Sequence, residues 1–158
     1  MDHLQSLREH IVRLLEGGQA YETFSEIAAS FAADQRGIVP PGVEHSAWQI
    51  VEHLRIAQRD ILDFSRNENG TYAELNWPDD YWPATPAPPD DKAWENTVRA
   101  FLADRKELET HVLNPRNDLF APFPWGDGQT LLREALLAAD HASYHLGQLV
   151  IVRGLLGP

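Results

Sequence analysis

A chain of 158 residues is long enough for one domain with a sizeable core. Its formal net charge of −11 opposes binding to nucleic acid and to anionic membranes, both of which draw on Lys and Arg. The chain has no cysteine, which excludes disulfides, thiolate ligands and a cysteine nucleophile, so any metal must be held by His, Asp or Glu.

The N-terminal stretch is polar, with no signal-peptide core, and no apolar run reaches transmembrane length. A cytoplasmic protein is expected. Leu4, Leu7, Ile11 and Leu14/Leu15 recur at three and four, predicting a helix from about Asp2 to Glu16 that stops at Gly17-Gly18. Tyr21, Phe24, Ile27/Ala28 and Phe31 repeat the pattern and predict a short helical piece to about Ala33. After the loop at Gly37 to Glu44, Ser46 stands three residues before Gln49, a capping-box signature. The helix it starts runs to about Arg66 with Ile50, Leu54, Ala57, Ile61 and Phe64 as its core stripe and His53 beside that stripe.

Asn67 to Asp90 shows no period and carries five prolines and the run NWPDDYWP. Loops of this length in compact domains are uncommon and often functional. Two readings stand here: a surface crossover whose Trp77, Tyr81 and Trp82 merely pack, or a cover over a site. Trp94, Val98, Phe101, Leu102, Leu108 and Val112 mark a helix from about Asp91 to Leu113, stopped by Asn114-Pro115. A second loop, Arg116 to Gly128, precedes the last helix, Thr130 to Leu156, with Gly157-Pro158 at its end.

That last helix is apolar nearly all round, the mark of a buried helix. One polar line runs through it at helical spacing: Glu134, His141, His145 and Gln148. His141 and His145 stand at i and i+4, one turn apart on one face, and two imidazoles so placed can share a divalent metal. The alternative is a pair of core histidines bonded to other side chains. Four long amphipathic helices and a short one make an all-α four-helix bundle the default architecture, and bundle cores are places where facing helices hold metals. His53 from one helix, with His141 and His145 from another, would give three neutral imidazoles and an open fourth position, the pattern of a catalytic rather than a closed structural site. His53 lies about 10 Å from its helix start, so that site would be within reach of the loops at one bundle end.

Two segments, SAWQIVEHLRIAQRDIL and DHASYHLGQLVIVRGLL, resemble the second-helix and last-helix motifs of the DinB-like (DinB/YfiT-like) superfamily. The YWP loop resembles one subgroup of it. The resemblance implies a single domain over 1–158, a four-helix bundle in up-down-down-up order, with an extra short N-terminal helical segment and the long loop between helices 2 and 3. It implies a three-histidine site, and by matching position the ligands are His53, His141 and His145. Zinc or nickel is the expected metal. The better-understood relatives imply a metal-dependent enzyme working with a low-molecular-weight thiol, such as an S-transferase. A metal-dependent hydrolase and a non-catalytic metal- or ligand-binding stress protein are the alternatives. Without cysteine, the thiol must come from outside the chain. The partners expected are a small-molecule substrate and, in a homodimer, a second copy, with no nucleic acid and no membrane.

No catalytic residue is assigned. Asp140, Gln148 and Glu134 are the candidates: Gln148 and Glu134 continue the inward polar line and can orient a ligand or a water. Asp140 and Glu52 each adjoin a proposed ligand, but adjacent helix positions point about 100° apart, so each is first read as a solvated charge. His3, His10 and His111 are read as solvated helix-face residues. His45, eight residues and about 12 Å along the axis from His53, is expected outside the site.

Overall fold

The computed structural model describes residues 2–157; Pro158, read above as part of the final stop, lies outside them. The described residues form five α-helices: α1 (His3–Glu16), α2 (Phe24–Ala29), α3 (Ala47–Ser65), α4 (Asp91–Leu113) and α5 (Leu131–Leu156). Two 3-10 turns, Asn67–Asn69 and Asp79–Tyr81, interrupt the long loop. No strand occurs among the described residues, only an isolated bridge between Pro122 and Thr130. None of these helices is long and apolar enough to cross a membrane.

Local chemistry sets the helix starts. Ser46 accepts from the Gln49 amide while the Gln49 side chain accepts from the Ser46 amide, the reciprocal box read from the sequence. Thr23 and Glu26 form a second box, which starts α2 at Phe24 rather than at Tyr21. Asp2, Asp90 and Thr130 cap α1, α4 and α5 with a side-chain oxygen that accepts from first-turn amides, with no reciprocal bond. Each such cap contributes about 1 kcal/mol. Helix α2 also ends early, at Ala29, so the expected helical piece to Ala33 is only six residues long.

Helix α3 packs against α4 and α5, and α1 covers the opposite side of α4 and α5. One apolar cluster joins α2 to the N-terminal half of α3, including Phe24, Ile50, Leu54, Phe101 and Leu149. The other joins α1 to the far half of α3, including Leu15, Leu62, Leu108, Leu131 and Ala135. The stretch of α5 that carries His141 and His145 lies where these clusters meet.

Helix α5 departs from the expectation of burial all round. Leu136, Tyr144, Val150, Ile151 and Leu155 lie on an exposed face. The apolar composition of α5 exceeds what two packed neighbours and α1 can cover, so one stripe is left to solvent. A buried charge also appears that periodicity did not signal. Arg8 in α1 is 2% exposed and donates to the Val112 carbonyl in the last turn of α4 and to the Asn117 carbonyl in the loop after it. The Val112 carbonyl lies among the last four of the helix, which lack an intrahelical partner, and a cation there complements the helix dipole.

The long loop is pinned at several points. Asp60 on α3 accepts from the Tyr72 hydroxyl (2.9 Å) on one carboxylate oxygen and the Tyr81 hydroxyl (2.6 Å) on the other. Further on, the Ser46 hydroxyl donates to the Pro86 carbonyl, and Ala87 lies against Gly37 so closely that an added Cβ would sit 2.5 Å from the Ala87 Cβ. The loop is thus a fixed wall over α3.

Candidate metal centre

His53 occupies the second turn of α3 at 1% exposure. Its Nδ1 lies 2.9 Å from the Tyr81 carbonyl, which can only accept, so Nδ1 carries the proton and the Nε2 lone pair faces α5. On α5, His145 Nδ1 lies 2.7 Å from Gln148 Oε1, and the same logic leaves its Nε2 as the lone-pair nitrogen. His141 Nε2 approaches His53 Nε2 to 3.0 Å, a separation that requires a proton or a cation at the pair. One nitrogen from each of the three rings lies within 4.8 Å of the other two.

These donors fit a divalent transition-metal ion. They are imidazoles, and oxygen acceptors behind two of them fix the tautomer that a metal needs. Burial, then the neighbouring histidines, push His141 down to about 3, and burial, then His53, pushes His145 down to about 4. His53 is likewise lowered, chiefly by burial. All three rings are therefore neutral near pH 7, the protonation state that metal binding demands. His53, His141 and His145 would hold the ion.

A cleft of about 700 Å³ opens over the three histidines. Trp82 forms its floor beside them, lying flat on His53 at a centroid distance of 3.8 Å and 1° between planes. Trp77 stands at the rim, 69% exposed. The long loop therefore supplies two walls of the cleft, while Tyr81 contributes its backbone carbonyl and sends its side chain to Asp60. Tyr144 and Ile151 form the facing wall from α5, and Gly42 to His45 close one end.

The remaining candidates separate. Gln148 orients His145, as described. Glu134 is buried, but lines another cleft with Asp60, Tyr72 and Trp125 and pairs with Arg133 at 2.7 Å. Asp140 is exposed and makes no side-chain hydrogen bond. Glu52 pairs with Arg55 at 2.6 Å and accepts from Thr97 on α4, which turns it away from the centre. His3 and His10 are exposed. His111 is half-buried and bonded to Asn117 rather than solvated, and burial lowers its pKa.

His45 corrects the expectation most clearly. It lines the cleft and stacks on the other face of Trp82 at 4.0 Å, completing a His45–Trp82–His53 sandwich. Distance along a helix axis does not apply to it, because it precedes the Ser46 cap and the chain turns there. Trp82 and Trp77 stand where the reading of the long loop as a cover over a site put them. The Tyr81 carbonyl and Tyr144 were not assigned from sequence; the aromatic run NWPDDYWP was the signal for the first, and Tyr144 had none beyond its place beside His145.

The fold and site together define an all-helical protein in which three imidazoles from two helices converge under an aromatic loop. The DinB superfamily model matches residues 16–149, and the chain belongs to that superfamily. Its fold is similar to the crystal structure of a candidate DinB-family member from Exiguobacterium sibiricum 255-15. The two share 16% identity at a TM-score of 0.57, over 99% of this chain and 94% of that one. No curated protein matches the chain.

Proposed function

We propose that this protein is a metal-dependent enzyme whose zinc or nickel ion is held by His53, His141 and His145, and that it activates a small thiol for S-transfer. The observation that carries the reading is the preset tautomer pattern: Tyr81 and Gln148 each take an Nδ1 proton, so lone pairs converge at one point. A divalent ion with three neutral ligands keeps its full charge and favours an anion such as a thiolate in its remaining position. The chain's own groups do the rest. Trp82 and the loop restrict water on one side, and Trp77, Tyr144 and Ile151 offer apolar surface for the electrophile. With no cysteine in the chain, an external thiol meets no internal competitor.

The same reading takes residues 1–158 as one cytoplasmic domain built as an up-down-down-up bundle of α1, α3, α4 and α5. Asp60 follows His53 by seven and Glu134 precedes His141 by seven, which supports opposite directions for α3 and α5. The long loop gives α3 and α4 room to run the same way. Leu136, Val150 and Leu155, the exposed apolar residues of α5 that do not line the cleft, are the face offered to a second copy, and a monomeric mass in solution at micromolar concentration would remove the homodimer.

The test of the function uses protein purified without a histidine tag. Metal content near one equivalent is expected, with a sulfur-to-metal charge-transfer band when thiol is added to the cobalt-substituted form. Metal-dependent conjugation to electrophiles, absent from His141→Ala, would follow. Full metal loading with no thiol band would reject S-transfer in favour of hydrolysis. Thiol binding without turnover over a broad electrophile panel would favour a non-catalytic binder.

A further inference from the structure

The hydrogen bond from His145 does not stop at Gln148. The Gln148 Nε2 donates to the Tyr144 hydroxyl oxygen at 3.2 Å, closing a chain from His145 through Gln148 to Tyr144 along one face of α5. Gln148 turns its Oε1 to the His145 ring and its amide nitrogen to Tyr144, and an amide nitrogen can only donate. The tyrosine oxygen therefore accepts, and its own O–H points elsewhere. Tyr144 is 64% exposed and lines the cleft with His141 and His145, its ring meeting His145 edge-on at 5.0 Å.

We infer that Tyr144 is a ligand-binding residue whose O–H donates to a hydrogen-bond acceptor on the molecule held over the three histidines. The ligand class is a small thiol that also carries a hydrogen-bond acceptor such as a carbonyl oxygen. Gln148 is its positioning residue: it sets both the His145 tautomer and the direction of the phenol hydrogen. The inference rests on the thiol reading above and adds to it a group that recognises the rest of the thiol.

The test compares two neutral thiols matched in heavy-atom connectivity, N,N-dimethyl-2-mercaptoacetamide and 2,3-dimethyl-1-butanethiol. Only the first carries an acceptor. Their affinities for the cobalt-substituted protein are read from the charge-transfer band, with metal content measured in parallel. Tyr144→Phe should weaken the amide thiol roughly 3- to 10-fold, the range of one hydrogen bond, and leave the alkyl thiol within about 2-fold. Gln148→Glu supplies the discriminating variant. The new carboxylate still accepts from His145 Nδ1, so metal is retained, but it also accepts from Tyr144 and turns the phenol hydrogen out of the cleft. Its ratio of amide-thiol to alkyl-thiol affinity should fall to that of Tyr144→Phe. A ring that only packs would leave this ratio untouched in Gln148→Glu. Equal losses for both thiols in Tyr144→Phe, or no loss for either, would overturn the inference while leaving the thiol reading intact. A fully loaded wild-type protein with no band for either thiol would reject the thiol reading, and this inference with it.

Discussion

Two polar layers cross the α3–α5 pair. His53 faces His141 and His145 in one; Asp60 and Glu134 belong to the other, each seven residues or about 10 Å along its helix from the first. Both put polar groups into an apolar interface, and both use residues capable of holding metal. They differ in what stands behind the polar groups. In the histidine layer, acceptors lie behind His53 and His145 and leave their Nε2 lone pairs turned inward. In the carboxylate layer, both Asp60 oxygens are taken by tyrosine hydroxyls and Glu134 is paired with Arg133. Burial and Asp60 push both hydroxyls well above the usual phenol range, so they remain donors. A polar layer becomes a ligand site when its donors are left aimed at a shared point, and a structural latch when each is matched.

The two layers are joined through Tyr81. Its hydroxyl is held by Asp60 and its carbonyl holds His53. Asp60 therefore acts on the histidine layer from two turns away, and this connection can be broken.

The largest effect is expected within the histidine layer. His145→Ala should lower metal affinity by more than about 100-fold, beyond the range typical of partners behind a ligand, as measured by competition with a chelator. Asp60→Ala comes next. It strips two tyrosine hydroxyls of their acceptor and should cost about 2 kcal/mol in urea unfolding of the metal-free protein. By loosening Tyr81 it should also weaken metal binding about 10-fold. If Asp60→Ala lowers stability but leaves metal affinity alone, the layers are independent.

Acid should separate the layers in sign. The three histidines have folded pKa values below the ordinary 6.5, so between that value and about 3, where His141 lies, the unfolded chain binds more protons. Stability of the metal-free protein should therefore fall as pH drops through this window and be flat for these groups above it. His111, lowered by burial, adds slope of the same sign. Glu134 is raised, chiefly by burial, so its contribution is present at low pH and is lost as pH rises through its folded pKa. Urea titrations at a series of pH values should show a shallower acid loss in His141→Ala and a steeper one in Glu134→Gln. The smallest effect is expected from Glu134→Gln at pH 7: metal content unchanged, and stability within about 1 kcal/mol of wild type. Loss of metal there would mean that the carboxylate layer also serves the centre.

The elements of this fold that depend on near neighbours were legible in the chain itself. Helix periodicity, the Ser46–Gln49 box and the spacing of His141 and His145 are all set within a few residues, where backbone geometry alone decides which side chains share a face. The convergence of His53 with that pair followed from pattern and family motif, because core stripes on facing helices must meet. What needed the tertiary structure is every contact made by a chain segment with no period of its own. No spacing rule brings the Tyr81 carbonyl to His53, or places Trp82 between His53 and His45. The same holds for Arg8, buried against two carbonyls more than a hundred residues away, and for the α5 stripe left bare. Gln148 shows the division within one residue. Its place near His145 and its capacity to orient that ligand follow from i to i+3 on a helix, whereas the 2.7 Å contact of its Oε1 with His145 Nδ1 needed the structure. The Tyr81 carbonyl fixes the His53 tautomer in the same way from a segment with no period.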